Sequence, residues 1–229
     1  MWPPVPFDTS CFVRYTDSVD ENTLSRLEPA ISVIVLAGGQ SRRFGRDKSL
    51  LEIEGRPLLT RTVDKLATLS DDLIVVTNDP THSRLLDRTA RLVPDERPGL
   101  GSLMGIYSGL KEARHAHALV VACDMPFLNL ALIRYMLPLA DAHDVVIPQL
   151  DGMLEPLHAI YGKACLPHML QLLDEGRHRI VAFFDDVRVR YVENQEIDRF
   201  DPRRLSFVNV NSLQDWERVQ EMLAQQKPN

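Results

Sequence analysis

Short apolar runs alternate with stretches of helical period from about residue 31 onward, and this alternation constrains the fold most. Residues 31–37 are apolar at six of seven positions. A strand that shows apolar side chains to both sides is one buried on both faces of a sheet. Residues 57–69 then place Leu59, Val63 and Leu66 on one helical face. Residues 73–77 are a second apolar run, and residues 91–93 predict a third strand. Residues 102–113 carry Leu103, Ile106, Tyr107 and Leu110 at i, i+3, i+4 and i+7, an amphipathic helix. Residues 118–123 predict another buried strand, and Leu130, Ile133 and Leu137 mark the next helix. Residues 144–147 predict a further strand, and Leu166, Met169, Leu170 and Leu173 a further helix. Ser212 and Asp215 have capping-box spacing and open a last helix through Leu223. Strands and helices alternating at these lengths predict an α/β chain built of βαβ units. Its sheet is mostly parallel with helices on both faces, three layers in all. Ligands of such sheets bind beyond the carboxyl ends of the strands. Function is therefore sought in the loops after Ala37, Thr77, Val93 and Cys123.

The 229 residues bound the chain to one ample domain or two small ones. We read residues 1–29 as an N-terminal arm and residues 30–229 as a single domain. The arm holds Pro3, Pro4 and Pro6, then Asp8, Asp17, Asp20 and Glu21, without sustained periodicity. It has neither the basic nor the apolar region of a signal peptide, so the expected location is cytoplasmic. No apolar stretch approaches the ~18–20 residues of a membrane span, and no membrane association is expected. Twenty-six Lys and Arg against 32 Asp and Glu give a net charge of −6, which argues against nucleic acid as the main partner. Cys11, Cys123 and Cys165 are too few and too scattered for a disulfide framework or a zinc site.

The first of the four loops reverses the sign of that charge. It reads L-A-G-G-Q-S-R-R-F-G-R-D-K-S from Leu36, with Arg42, Arg43, Arg46 and Lys48 within seven residues. Gly38 and Gly39 are expected to use positive φ and to let backbone N–H groups approach a ligand. Backbone donors with clustered cations suit a polyphosphate, although a basic turn in solvent has the same composition. The loop matches neither G-x-x-x-x-G-K-[ST] nor G-x-G-x-x-G, which disfavours a P-loop NTPase and a dinucleotide dehydrogenase. In the fourth loop, Asp124 follows the strand at 118–123. A carboxylate there holds Mg²⁺ or caps the next helix; Mg²⁺ usually takes one or two carboxylates plus phosphates and waters. Asp95 and Asn78 also follow strands, and each is equally a turn residue. None of the seven histidines has H-E-x-x-H spacing. His158 stands in the segment P-L-H-A-I-Y. Arg177, His178 and Arg179 form a small basic cluster that either meets a phosphate or is a solvated helix end.

Together these motifs resemble the molybdenum cofactor guanylyltransferases, within the wider group of nucleotidyltransferases with a Rossmann-like fold. The resemblance runs from about Ile31 to Leu223. It rests on the first loop with L-L-E-I-E-G-R-P-L-L after it, on D-E-R-P-G-L-G-S-L-M-G-I from Asp95, and on A-C-D-M-P-F from Ala122. P-L-H-A-I-Y from Pro156 and F-V-N-V-N-S from Phe207 complete it. The resemblance implies that Leu36, Ala37 and Gly38 bind the nucleotide through their backbone and that Lys48 contacts its phosphates. Asn78 and Asp95 complete the nucleotide site, and Asp124 binds Mg²⁺. Lys48, Asp124 and Arg43 are the implied catalytic groups. The implied substrates are GTP and molybdopterin carrying its metal, and the products are the guanine dinucleotide form of the cofactor and pyrophosphate. Implied partners extend to transient contact with cofactor-delivery or molybdoenzyme-maturation proteins.

Two positions depart from the family pattern. Ser102 stands where Pro is usual and is expected to cap the helix it opens. Met104 replaces Ala or Gly and is expected to narrow the base or pterin pocket. The acceptor is an ionised phosphate near neutral pH, so the transfer needs no general base. Three readings remain at this stage. One is the guanylyltransferase. Another is a different nucleotidyltransferase, using CTP on molybdopterin or an NTP on a sugar or alcohol phosphate. The third is a non-enzymatic nucleotide-binding module.

Overall fold

A computed structural model describes residues 30–38, 48–86 and 90–225. The arm at 1–29 and Arg42, Arg43 and Arg46 lie outside the described residues. The apolar run of the sequence becomes β1 (Ser32–Leu36), buried at every position. A hairpin follows, β2 (Glu52–Ile53) with β3 (Arg56–Pro57), then α1 (Leu58–Leu66). Next come β4 (Asp72–Val76), β5 (Ala90–Val93), α2 (Ser102–Glu112), β6 (His117–Ala122) and α3 (Leu130–Met136). The second half holds β7 (Val145–Leu150), β8 (Met153–Leu154), β9 (His158–Gly162), α4 (Leu166–Asp174), β10 (Val189–Glu193), α5 (Asn194–Phe200) and α6 (Leu213–Gln225). Among the described residues, no helix is long and apolar enough to cross a membrane.

The main sheet runs β10-β7-β9-β6-β1-β4-β5. β1 pairs in parallel with β4 and with β6, β4 with β5, and β7 with β10. β9 is antiparallel to both β6 and β7, so the sheet is mixed but mostly parallel. The sequence pattern did not predict β9, β10 or α5. β1 leads through α1 to β4 on one side, while α2 brings the chain back to β6 on the other. The order reverses between β1 and β6, the place where open α/β sheets bind ligands.

Odd and even positions of the central strands feed separate cores, as period-two geometry requires. Val33, Val35, Leu119 and Val121 pack with α1 and α3 on one face. Ile34, Leu36, Ala118 and Val120 pack with α2 and α4 on the other. α2 rides close to the sheet: a Cβ on Gly109 would stand 2.7 Å from Ile34 Cγ2. The N-terminal ends of β1 and β4 are locked by the fully buried Asp72. It accepts from Ser32 Oγ at 2.6 Å, from the Arg114 N–H at 2.7 Å and from Arg91 at 2.7 Å. Burial alone would raise its pKa, but these donors outweigh burial and lower it. This lock lies at the opposite end of the strands from the loops examined for function.

The chain's end crosses the α1 face of the sheet and returns to β6. Asp201 accepts from the N–H groups of Leu205 and Ser206, and Ser206 Oγ accepts from the Asn129 N–H. The Val210 N–H then donates to the Asp124 carbonyl at 3.0 Å. Asp215 Oδ2 accepts from the N–H groups of Asn211 and Ser212, closing the predicted cap of α6.

Candidate active site

Backbone hydrogen bonds extend the parallel ladder past the strand ends and set the loops side by side. The Ala37 N–H donates to Val76 O, the Thr77 N–H to Val93 O, and the Cys123 N–H to Leu36 O, at 2.9–3.0 Å. Lys48, Asn78, Asp95 and Asp124 all emerge from this edge. Lys48 Nζ donates to Asn211 Oδ1 at 2.8 Å and lies 3.3 Å from Asp124 Oδ2. The longer contact is weak for a charge-assisted bond, whose usual length is ~2.7–2.9 Å. Among the described residues, Asp124 is therefore short of positive charge. Burial raises its pKa, and Lys48 only partly opposes that. Its side chain remains 20% exposed, open to a further cation. It caps no helix: the N-cap of α3 is Asn129, whose Oδ1 accepts from Ala131 and Leu132.

Asn78 and Asp95 form the second pair. The Asn78 amide donates to Asp95 Oδ2 at 2.8 Å, and its Oδ1 accepts from the Asp95 N–H at 2.9 Å. This two-way clasp fixes the carboxylate plane and leaves Asp95 Oδ1 available. Burial raises the Asp95 pKa, which the Asn78 bond partly offsets. A Cβ on Gly105 would stand 3.2 Å from Leu36 Cδ2 and 3.6 Å from Asp95 Oδ1. The missing side chain thus leaves open the space between the end of β1 and Asp95.

Several sequence expectations change here. Gly38 is not among the glycines with positive φ, and a Cβ there would meet only Val76 O, at 3.9 Å. Its freedom is not spent on backbone conformation. Ser102 is the first helical residue of α2, not its cap; Gly101 holds the cap position at φ +78°. Met104 is buried in the α2 core, where its Sδ accepts from Ser108 Oγ at 3.4 Å, so it does not narrow the edge. Arg43 lies outside the described residues. Asn211 stands in the segment F-V-N-V-N-S. A lone Asn carries no periodic signal, and its contact with Lys48 spans 163 residues.

A family model described as a MobA-like NTP transferase domain matches residues 33–190. The chain belongs to this family. The molybdenum cofactor guanylyltransferase of Desulfosudis oleivorans is 36% identical over 193 residues, covering 83% of this chain and 95% of that protein. The probable molybdenum cofactor guanylyltransferase of Methanosarcina mazei is 37% identical over 199 residues, covering 82% and 89%. A crystal structure of molybdopterin-guanine dinucleotide biosynthesis protein A from Archaeoglobus fulgidus matches with a TM-score of 0.75 at 26% identity, covering 85% of this chain and all of that one. The fold is accordingly the nucleotidyltransferase form of the α/β class, and the chain is a nucleotidyltransferase. The MobA-like segment contains Lys48, Asn78, Asp95 and Asp124. Asn211 lies beyond its end, delivered by the return of the chain over β6.

Proposed function

We propose that this nucleotidyltransferase transfers GMP from GTP to molybdopterin carrying its metal, giving the guanine dinucleotide form of the cofactor and pyrophosphate. The observation that carries the proposal is the buried Asp124 carboxylate beside Lys48, with no closer cation among the described residues, at the reversal point of the sheet. The names of the relatives in Desulfosudis oleivorans and Methanosarcina mazei support the choice of substrates.

Lys48 sits where triphosphate oxygens would lie and neutralises charge that builds on the leaving pyrophosphate. Asn211 holds the ammonium in place from the other side. The residues fit a hard divalent cation: one carboxylate, short of counter-charge, suits Mg²⁺, which completes its shell with phosphates and water. Asp124 would hold it, and when bound it polarises phosphoryl oxygens. The acceptor phosphate is already an anion near neutral pH, so no side chain has to remove a proton. Leu36, Ala37 and Gly38 line the nucleotide end. The Leu36 carbonyl and the Ala37 N–H are held in the sheet ladder, so Gly38, just past it, is the one whose N–H faces the nucleotide. Asp95 Oδ1, with its plane fixed by Asn78, accepts from guanine N1–H or the exocyclic amine. Cytosine has fewer donors on its pairing edge and would leave an acceptor unpaired. That costs about 1–3 kcal/mol, roughly 5- to 150-fold in selectivity.

The test is pyrophosphate release with molybdopterin, Mg²⁺ and each NTP in turn. GTP should give the highest kcat/KM, and Asp124→Asn should abolish most Mg²⁺-dependent turnover while retaining the fold. Equal kcat/KM for CTP would refute the guanylyl assignment. Turnover of Asp124→Asn within threefold of wild type at limiting Mg²⁺ would refute the metal assignment.

A further inference from the structure

Glu155 stands in the turn between β8 and β9, on the same edge of the sheet as Asp124. Its backbone is pinned on two sides: the N–H donates to Pro148 O of β7, and the carbonyl accepts from the His158 N–H, both at 3.0 Å. The next residues are tied to β6 through the Ala122 N–H to Leu157 O bond at 3.2 Å, and Tyr161 Oη donates to Pro156 O at 2.8 Å. The turn is therefore a rigid platform, one to two strand spacings from β6, or ~5–10 Å. The Glu155 side chain is half-buried and makes no hydrogen bond or ion pair among the described residues. Most other carboxylates have a partner, such as Asp144 with Arg188 or Glu196 with Arg190. A half-buried acceptor without a donor is costly unless a ligand supplies one.

Its place along the edge says which donor fits. Asp95 lies at the β5 end, Asp124 and Lys48 lie in the middle, and Glu155 lies at the β7–β9 end. Among the described residues, these three are the carboxylates in which burial outweighs every other influence and raises the pKa. The proposed product has the same layout: a guanine at one end, two phosphates between, and a pterin at the other. Guanine and pterin share a 2-amino-4-oxopyrimidine edge, with a ring N–H and an amino N–H pointing the same way. Such a pair of donors meets a carboxylate in two parallel bonds. We propose that Glu155 recognises the acceptor, its carboxylate accepting from the ring N–H and the 2-amino group of the pterin. This assignment rests on the guanylyltransferase function proposed above and adds the residue that selects the acceptor.

Direct binding tests it without relying on turnover. Full-length protein is titrated with 2-amino-4-oxopteridine and with 2,4-dioxopteridine, followed by pteridine fluorescence. The dioxo ring replaces the amino donor with an oxygen that repels a carboxylate. Wild type should bind the amino ring at least ~10-fold more tightly, the scale of a charge-assisted hydrogen bond. Glu155→Gln should bring the ratio to within about threefold of one, with its melting temperature and GTP affinity kept. Glu155→Asp, which keeps the charge, should retain a preference for the amino ring. A ratio near one in wild type, no binding of either ring, or an unchanged ratio in Glu155→Gln would overturn the assignment. Should Glu155→Gln fail to fold, loss of the preference in Glu155→Asp would overturn it instead. A wild type that prefers the amino ring but transfers no GMP to molybdopterin would overturn the proposed function and leave the pterin contact standing.

Discussion

His158 makes the stability of this protein depend on pH in a window that can be worked out in advance. Its imidazole is fully buried, both ring nitrogens lack a hydrogen-bond partner among the described residues, and Phe207 covers it with ring centroids 5.0 Å apart. Burial lowers its pKa from 6.5 to about 4, while its own backbone and the Asp201 charge oppose that only in part. The folded ring is therefore neutral at pH 7. Below pH 6.5 the unfolded chain takes up a proton that the folded chain refuses until about pH 4. Unfolding then binds more protons, so stability is fully present above 6.5 and falls as the pH drops through the window. The gap from 6.5 to about 4, at about 1.4 kcal/mol per pH unit, makes the full loss about 3–4 kcal/mol, of which about 3 kcal/mol is reached by pH 4. For a chain of this size that is roughly 6–12 °C in Tm. Urea unfolding of wild type and His158→Leu at intervals from pH 7.5 to 4 reads the difference directly, because every other titrating group is common to both. The leucine variant should match or exceed wild type at pH 7.5, since it removes two unpaired buried nitrogens. Its advantage should widen by about 3 kcal/mol by pH 4. Parallel stability curves, or an NMR titration placing His158 above pH 6, would refute the reasoning.

Lys48→Ala should weaken GTP binding or slow transfer by roughly 10- to 150-fold, the 1.5–3 kcal/mol of a charge-assisted hydrogen bond; isothermal titration with GTP and steady-state kinetics check it. Gly109→Ala puts a methyl 2.7 Å from Ile34 Cγ2 and should cost about 1–3 kcal/mol in urea unfolding, with the active-site edge unchanged. Asp72→Asn breaks a buried, triply bonded carboxylate and should cost about 3–5 kcal/mol, read as a lowered Tm. A change under 1 kcal/mol would show that Arg91 and Arg114 find other partners.

The parallel half of the sheet was legible because its strands are buried on both faces and so read as apolar runs: Val33 to Leu36, Leu73 to Val76, and Ala118 to Ala122. The intervening helices showed themselves through their buried stripes. β9 escaped because it opens with a polar residue, His158, and closes on Gly162, leaving three apolar residues in view. β10 is an edge strand in which only Val192 is buried, and α5 buries only Ile197, so neither has a period to read. In the site, charge clustering and loop position marked Lys48 and Asp124 as candidates, while the family resemblance was needed to choose Asn78 and Asp95 over turn residues. The clasp between Asn78 and Asp95 and the bond from Lys48 to Asn211 are tertiary facts. Each joins residues of separate elements, and no local spacing encodes them.

The Lys48–Asn211 bond also sets an order in time. Every strand of the sheet is complete by Glu193, whereas Asn211 comes later in the chain. A chain made from its N-terminus tends to fold in that direction. The sheet and the Asp95 end of the edge can thus assemble during synthesis while Lys48 still lacks its clamp. The Lys48–Asp124 end is finished last, when the segment around Asn211 settles over β6 and its Val210 N–H reaches the Asp124 carbonyl. On the function proposed above, catalytic competence waits for the segment that carries Asn211, and the growing chain on the ribosome carries an edge that is shaped but not yet armed.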